Sequence, residues 1–210
     1  MEANSSIEEL SKAETTETFN DSEEDMNIEE VEAAMIDQEN PDVELEYRPL
    51  KTYEVGDTYD GQWNKVTGLR HGKGTYTWAS GQQEYEGYWK NGKRHGNGTE
   101  TYPDGDSYEG EWKNGEHHGK GKYTWADGKV YEGDYKVDKK NGFGTMWWPD
   151  GDKYEGFWAN DKENGKGTYT WQDGSKFVGF HKDGKEHGRG VEYDVDGNKT
   201  IQNWENGELL

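Results

Sequence analysis

Four histidines recur at regular intervals and are the first residues that could do chemistry, because imidazole nitrogens are common zinc ligands. They are His71, His95, His118 and His187, separated by 23 or 24 residues or by three such intervals. Such spacing predicts a column with one histidine per structural repeat. If each repeat contributes two strands, neighbouring histidines lie about 10 Å apart, too far to share an ion through bonds of about 2 Å. We therefore expect no metal site.

Two other local patterns resemble binding loops without completing them. Gly87, Gly92 and Lys93 have the spacing of a phosphate-binding loop, but Arg94 follows where Ser or Thr is required. Asp104 and Asp194 each begin an Asp-x-Asp pattern that lacks the later glycine and glutamate of a calcium loop. The chain has no cysteine, and no nucleophile stands beside a base. These observations predict a protein that is not an enzyme and binds no cofactor.

Aromatic residues are stronger candidates, since Trp (10), Tyr (14) and Phe (5) make up half of a hydrophobic content of only 28%. Five rings fall at one repeat position, predicted on the second strand of each unit: Trp78, Tyr102, Trp125, Trp148 and Trp171. Mutual packing of the rings explains this pattern structurally. A groove that binds a partner segment is the functional alternative, because Trp and Tyr are frequent interface anchors. Both hold if the rings pack by their edges and leave one side free.

Basic residues collect in the predicted hairpin loops. The set is Lys90, Lys93, Arg94, Lys136, Lys139 and Lys140. Hairpin loops and the connections between units leave a sheet at opposite edges, so we expect one mildly basic and one mildly acidic edge. Solvated loops of incidental charge explain the pattern structurally. Docking to an acidic partner or to lipid phosphates is the functional alternative.

The net charge of −21 is unevenly distributed. Residues 1–50 hold 17 of the 45 acidic residues and two basic residues, which gives that segment −15. A sequence pI near 4.6 argues against nucleic-acid binding, which requires a cationic surface, and makes anionic lipid the less favoured partner. The sequence has neither an apolar run of membrane-spanning length nor a hydrophobic leader. We predict a cytoplasmic protein.

An internal repeat predicts the elements that position these residues. The pentapeptide that begins at Tyr108 recurs every 23 residues from Tyr85 onward, with a first copy 26 residues before Tyr85, and is followed each time by Gly-x-Gly and usually by Asp-Gly. Its copies begin at Tyr59, Tyr85, Tyr108, Tyr131, Tyr154 and Phe177. Alternating residues joined through turns such as Asn91-Gly92 predict a β-hairpin per unit. In the second unit we expect the second strand to run over 96–102, with Gly96 and Gly98 on one face beneath rings of neighbouring strands.

The repeat divides the chain into four segments. These are an acidic tail (1–47), an N-terminal half repeat (48–58), six repeats (59–199) and a C-terminal partial repeat or cap (200–210). Open strand edges at the two ends predict a capacity for end-to-end self-association.

The tail is acidic enough to predict disorder over most of its length. Within it, Ile28, Val31 and Met35 recur at i, i+3 and i+7 and predict a short amphipathic helix over 23–37 that folds in a partner's groove. Val43, Leu45 and Tyr47 alternate with acidic residues and predict a strand.

The repeated pattern, read from Tyr108-Glu109-Gly110 through His118-Gly119 to Trp125-Ala126-Asp127-Gly128, resembles the MORN (membrane occupation and recognition nexus) family over about residues 53–207. The resemblance implies an all-β fold, an elongated single-layer antiparallel sheet built from tandem hairpins as a solenoid. At the last unit His181, Glu192 and Asp194 replace rings, which is typical of a polar cap.

The resemblance and the residues together favour a non-catalytic scaffold that binds other proteins. Because MORN proteins occur in ciliary axonemes, radial-spoke heads and other cytoskeletal structures, the resemblance implies such a setting. The family is also associated with lipid kinases and membrane junctions, so the alternative is a peripheral membrane tether that binds phosphoinositides through the basic edge. A third hypothesis is a targeting module that serves an enzyme in trans.

Overall fold

The computed structural model describes residues 43–210, which form one antiparallel sheet of 15 strands. Each strand pairs with its neighbours in sequence, so the sheet is a single open layer that grows along the chain and confirms the all-β, single-layer fold. The strands are β1 (Leu45–Thr52), β2 (Thr58–Asn64), β3 (Arg70–Thr77), β4 (Glu84–Lys90), β5 (Lys93–Thr101), β6 (Ser107–Lys113), β7 (Glu116–Thr124), β8 (Val130–Lys136), β9 (Lys139–Trp147), β10 (Lys153–Ala159), β11 (Lys162–Thr170), β12 (Lys176–Lys182), β13 (Lys185–Tyr193), β14 (Lys199–Glu205) and β15 (Glu208–Leu209).

Six hairpins, β2–β3 through β12–β13, correspond to the six sequence repeats and are called units one to six. Strand β1 precedes them and pairs with β2, so the alternation at Leu45 and Tyr47 belongs to a strand that begins inside the segment assigned to the tail. Strands β14 and β15 follow the sixth unit. The helix predicted over 23–37 lies outside the described residues. Between residues 43 and 210, no helix is long and apolar enough to cross a membrane.

Tight turns close units two to six by using two successive residues with positive φ, whereas a longer turn over residues 65–69 closes unit one. Asn91 and Gly92 have φ of 50° and 82°, the combination that matches the twist of the flanking strands. In the fourth unit Val137 and Asp138 adopt the same conformation. Asp138 compensates for the missing glycine, because its carboxylate accepts a hydrogen bond of 2.7 Å from the backbone N–H of His117 in the preceding unit.

A β-bulge interrupts every hairpin, at the same place in units one to five and one residue earlier along the first strand in unit six. In unit two Gly87 pairs with Gly98 and Trp89 pairs with Arg94, so one residue of β4 opposes three of β5. Strand β5 accordingly begins at Lys93, three residues before the predicted start, and ends at Thr101. Gly96 lies within the bulge at φ 66°. The expectation that Gly96 and Gly98 share a face beneath rings is therefore wrong for Gly96.

Gly98 is covered by a ring, as predicted for that position. A Cβ added to it would lie 2.3 Å from the hydroxyl oxygen and 2.6 Å from Cζ of Tyr85, which is fully buried. The Tyr85 hydroxyl donates a 2.9 Å hydrogen bond to the carbonyl oxygen of Tyr88, beside the bulge. Tyr59, Tyr108, Tyr131 and Tyr154 make the same bond in their units. The ring thus fills the space above two bare glycines and satisfies a buried carbonyl.

A second column of rings connects neighbouring units. Trp112 packs at right angles to Tyr108 in its own unit (5.0 Å between centroids) and to Tyr85 in the preceding unit (5.3 Å). Its indole N–H donates to the carbonyl oxygen of Gly98 at 3.1 Å. Trp89 and Trp158 repeat this bond to Gly74 and Gly144. Each edge-to-face pair contributes about 0.5–1.5 kcal/mol beyond burial, so the thin core is held together unit by unit.

Candidate protein-binding face

The tyrosine and tryptophan columns lie on one face of the sheet, which we call the ring face. Residues between them in sequence, such as Glu86 and Tyr88, belong to the opposite face because side chains alternate along a strand. The ring face carries the five rings predicted from the sequence, and all five are half-buried. They are Trp78, Tyr102, Trp125, Trp148 and Trp171. Each follows the last residue of its second strand, so the prediction that they lie on that strand is wrong by one position.

Contacts within the ring face fix these five side chains and form what we call the ring stripe. Trp78 lies 4.8 Å from Tyr76, Trp125 lies 4.5 Å from Tyr123, and the Tyr102 ring stacks on Tyr123 at 6.0 Å. Further along the sheet, Tyr169 lies between Trp148 at 5.6 Å and Trp171 at 5.3 Å. The rings therefore contact one another in edge-on, tilted and stacked pairs and remain partly open to solvent.

Aspartates in the connecting turns hold the stripe in place in alternate units. Asp106 accepts hydrogen bonds from the Tyr123 hydroxyl at 2.7 Å and from the Ala126 N–H at 2.9 Å. Asp152 makes the equivalent pair of bonds with Tyr169 and with the N–H of Gln172. Since Ala126 and Gln172 each follow a ring of the stripe, these bonds set the backbone from which Trp125 and Trp171 project.

A column of ionisable residues runs along the ring face beside the rings. Each unit contributes one member, which lies opposite the ring on the first strand of the same unit in the strand register. We call this set the charge column. They are Arg70, Arg94, His117, Lys140, Glu163 and Glu186. The column is cationic or neutral through the first four units and carboxylic in the last two.

Arg94 illustrates how the chain uses a cation at this position. Its guanidinium lies 4.2 Å from the centroid of the Trp112 ring, forms an ion pair with Glu100 and donates to the Gly115 carbonyl at 2.9 Å. Glu100 is 1% exposed and also accepts from the Tyr102 hydroxyl at 2.9 Å. Burial of this carboxylate is therefore compensated by several donors, and the same network orients Tyr102 in the stripe.

Lys140 and His117 are the other central members of the column. The Lys140 ammonium lies 4.3 Å from the Trp158 centroid, 5.4 Å from Tyr131 and 5.7 Å from Trp125. Burial lowers its pKa. His117 stacks on Tyr108 at 3.6 Å, and burial lowers its pKa to about 4, so this imidazole is neutral at physiological pH.

The last two units place carboxylates where the earlier units hold cations. Glu163 pairs with Trp158, and Glu186 pairs with His181. Burial and then the nearby Glu186 carboxylate raise the pKa of Glu163 to about 7. His181 is 4% exposed, and its Nδ1 has no hydrogen-bond partner among the described residues. Burial lowers its pKa, although Glu186 acts in the opposite direction.

The six residues predicted to form a basic edge divide into two groups. Lys93, Lys136 and Lys139 are exposed beside the hairpin turns, and Lys90 is half-buried there. Lys90 pairs with Lys93, and Lys136 pairs with Lys139, so like charges face each other across two turns. Arg94 and Lys140, in contrast, lie on the ring face. The structure thus brings only four of the six residues together at the edge.

Two concavities are present in the described part of the chain, one on each face. On the ring face a cleft of about 430 Å³ is bordered by Trp78, Tyr102 and Trp125 of the stripe and by Arg94 and Lys140 of the column. On the opposite face a groove of about 1070 Å³ runs over the glycine rows. Exposed rings also occur on that face, where Phe143 lies 5.6 Å from Phe157.

The chemistry available on the ring face is recognition by rings and charges. Among residues 43–210 no three His, Cys, Asp or Glu side chains cluster closely enough to hold a metal ion. The histidines of the sequence column are spread over separate strands, with His71 buried in β3 and His118 half-buried in β7. Ile28, Val31 and Met35 lie outside the described residues.

Sequence reasoning missed most of the charge column. Arg94 and Lys140 were assigned to a solvent-exposed edge, and His117, Glu163 and Glu186 were not singled out. A usable signal exists, because each column residue directly precedes a His-Gly or Asn-Gly pair, as in Arg94-His95-Gly96 and Glu163-Asn164-Gly165. The bulge next to that glycine turns the preceding side chain onto the ring face.

Two solved structures resemble the chain distantly. The TCP domain of SAS-4 (dCPAP) of Drosophila melanogaster, solved in complex with a proline-rich motif of Ana2 (dSTIL), is 16% identical with a TM-score of 0.37, covering 74% of this chain and 88% of that one. A streptogramin B lyase is 16% identical with a TM-score of 0.18, covering 75% and 54%.

Comparison of sequences is more specific. A segment of 49 residues is 49% identical to MORN repeat-containing protein 3 of Xenopus laevis, covering 23% of this chain and 20% of that protein, so the match spans about a fifth of the relative's length. The family model for the MORN repeat matches six times, at residues 59–83, 85–107, 108–130, 131–153, 154–176 and 178–199. These matches cover more than half of the chain and coincide with units one to six, and the protein therefore belongs to the MORN repeat family.

Proposed function

We propose that this protein is a non-catalytic scaffold whose ring face binds an extended segment of another protein. The observation that carries the proposal is the ring stripe, one half-buried Trp or Tyr side chain from each of units one to five, with a cleft of about 430 Å³ beside its first three rings. Rigid aromatic side chains lose little conformational entropy on binding and are enriched among interface anchors. A cytoskeletal or ciliary assembly in the cytoplasm is the setting we propose.

The rigidity of the sheet supports this role. Each ring of the stripe is positioned by neighbouring rings, and in alternate units by an aspartate, before any partner arrives. A preorganised face reduces the ordering cost of association. The acidic tail, with Ile28, Val31 and Met35, is proposed to contact a second protein.

Cross-linking of the tagged protein in detergent-extracted cells, followed by mass spectrometry, tests the proposal. We expect retention with the cytoskeleton and cross-links from the ring stripe to specific proteins. The double variant Trp125→Ala/Trp148→Ala should lose those neighbours. Phe143→Ala/Phe157→Ala removes two rings from the opposite face and should retain them. If only the Phe143→Ala/Phe157→Ala variant lost these neighbours, the partner would bind the opposite face of the sheet and the proposal would be wrong.

A membrane tether remains the alternative outcome, favoured by the lysine pairs at the hairpin turns. These pairs create like-charge repulsion that an anion would relieve. Charge reversal at Lys93, Lys136 and Lys139 should abolish flotation with phosphoinositide-containing vesicles if the protein is a tether. If the protein is a scaffold, the same variant should keep its cross-linked neighbours.

A further inference from the structure

The charge column shows that the ring face can accommodate a cation over a ring. Arg70, Arg94 and Lys140 lie 4.2, 4.2 and 4.3 Å from the centroids of the next unit's tryptophan ring. A cation over an indole face gains about 0.5–2 kcal/mol, more where water is excluded. Three of the first four units therefore supply their own cation to this face.

The fifth and sixth units keep the backbone of that position but change its charge. Glu163 lies opposite Trp158 and Glu186 lies opposite His181, in the register that pairs Arg94 with Trp89. By repeat equivalence, Trp148 and Trp171 flank the two carboxylates as Trp125 flanks Lys140. Aromatic surface beside a carboxylate is complementary to a lysine or arginine side chain.

A second observation at this end of the ring face is a buried polar atom without a hydrogen-bond partner within residues 43–210, of which the Trp63 indole N–H is another example at the opposite end. His181 is 4% exposed, lies opposite Glu186 and leaves its Nδ1 without a hydrogen-bond partner among the described residues. Buried polar atoms are normally paired, so a missing partner points to a group that arrives from outside. The two carboxylates likewise have no ion-pair partner within the part of the chain that the structure describes, and their mutual repulsion contributes to the raised pKa of Glu163.

We propose that the C-terminal end of the ring face recognises two basic side chains of the partner segment, one at Glu163 and one at Glu186. This deepens the proposed function and rests on it. Neighbouring units are separated by two strands, about 10 Å, and an extended chain in the polyproline II conformation advances about 3.1 Å per residue with three residues per turn, so its side chains at i and i+3 lie on the same side about 9 Å apart. The partner therefore carries Lys or Arg at positions i and i+3 of an extended stretch that runs across the strands.

The negative charge of Glu163 and Glu186 determines which segment can bind at this end of the ring face. The acidic tail of this chain does not complement two carboxylates, because residues 1–42 contain a single basic residue, Lys12. A separate protein with a basic segment does. The two ends of the ring face differ in charge, because the other end of the column carries Arg70, Arg94 and Lys140. The partner's basic pair therefore lies toward the C-terminal units.

Selection of an unbiased library of displayed twelve-residue peptides on the immobilised full-length chain tests this proposal. We expect enriched sequences with Lys or Arg at i and i+3. Each of the two charge-assisted contacts contributes roughly 1.5–3 kcal/mol, so Glu163→Gln/Glu186→Gln should weaken binding by more than about tenfold. The matched control Glu132→Gln/Glu155→Gln removes two exposed carboxylates from the opposite face of neighbouring units and should leave binding unchanged.

Three other outcomes would overturn the inference. Peptides that need Trp148 and Trp171 but lack a basic pair would leave the proposed function standing and remove this deeper claim. Equal weakening in both glutamine variants would indicate a general effect of net charge. Failure to enrich any peptide that depends on the ring stripe would count against the proposed function and this inference together.

Discussion

Units two and six are the same kind of hairpin, with the bulge displaced by one residue in unit six, but they carry different side chains at three matching positions of the ring face. Unit two carries Tyr85, Trp89 and Arg94, whereas unit six carries Phe177, His181 and Glu186 at the same positions. Both hairpins contain the bulge, and in both an aromatic ring covers a strand-two glycine. The aromatic ring over glycine is therefore what specifies the hairpin. The hydroxyl on that ring, the indole at the end of the first strand and the charge in the charge column can vary from unit to unit.

The largest effect we expect comes from reversing the charge of the charge-column residue, which should change the free energy of unfolding differently in the two units. Arg94→Glu removes the ion-pair partner of a carboxylate that is 1% exposed and adds a second carboxylate beside it. Breaking a buried pair in this way costs about 3–5 kcal/mol, and we expect about 3 because Arg94 is partly exposed. Urea unfolding followed by tryptophan fluorescence measures the change.

The reciprocal variant in unit six serves as the control for that prediction. Glu186→Arg places a cation where units one, two and four already hold one and relieves the repulsion with Glu163, so stability should be unchanged or increased. If the two reversals destabilise equally, the column has no preferred sign in either unit. The interpretation that the first units supply their own cation to the ring face would then be wrong.

Alanine at the covered glycine should affect both units alike. A Cβ at Gly98 would lie 2.3 Å from the Tyr85 hydroxyl, and one at Gly190 would lie 2.2 Å from Cζ of Phe177. Each substitution forces a buried ring to move and should cost about 2–3 kcal/mol. Thermal unfolding monitored by circular dichroism measures the loss, with the exposed Thr99→Ala as control. A small effect at Gly190 alone would mean that unit six is already loosely packed.

The regular part of this fold could be predicted from local sequence. Asn91-Gly92, the alternation around Tyr85 and the 23-residue period all act within one hairpin, so strands, turns and unit boundaries follow from them. The bulge could not be predicted, because its three-to-one pairing depends on how Gly87 and Gly98 approach each other beneath a ring.

The same bulge explains the error at the candidate site. Assigning Arg94 and Lys140 to a solvent-exposed edge assumed a loop where the structure has the first residues of strands β5 and β9. Summing loop charges also concealed that one position changes sign after the fourth unit. Glu163 and Glu186 become recognisable only when that position is compared from unit to unit.

Glu163 should give stability a pH dependence opposite in sign to that of His117 in unit three, whose lowered pKa favours the folded state at higher pH. The folded protein keeps a proton on Glu163 up to a pKa of about 7, whereas the unfolded chain loses it near the ordinary value of 4.5. The folded state therefore binds more protons between these values, and this contribution to stability is lost as the pH rises through about 7. Glu186 opposes ionisation of Glu163 and Lys140 favours it, while the neighbouring hydroxyls of Tyr154 and Tyr169 stay neutral in this range.

Glu163→Gln should remove this dependence. Relative to the unsubstituted protein, we expect little change in the free energy of unfolding at pH 5 and a gain of about 1–2 kcal/mol at pH 8, after allowing for solvent screening at a half-buried site. Urea denaturation at both pH values measures it. Glu155→Gln, at an exposed position of the same unit, should show no such difference, and a gain that is equal at pH 5 and pH 8 would contradict the assignment.

The smallest expected effect concerns the one hydroxyl that unit six lacks. In unit five the Tyr154 hydroxyl donates to the Phe157 carbonyl at 3.2 Å, whereas Phe177 has no donor for the equivalent carbonyl of Phe180. Because Phe177 covers Gly190 as Tyr154 covers Gly167, Phe177→Tyr should place a hydroxyl near the Phe180 carbonyl and stabilise the protein by about 0.5–1 kcal/mol. Tyr154→Phe should cost about 1 kcal/mol, since it leaves a buried carbonyl unpaired. Phe180→Tyr adds a hydroxyl to an exposed ring and is the control for the urea midpoint. A loss of stability in Phe177→Tyr would show that the displaced bulge of unit six leaves no room for the hydroxyl above its glycines, and that its altered side chains accompany an altered strand pairing.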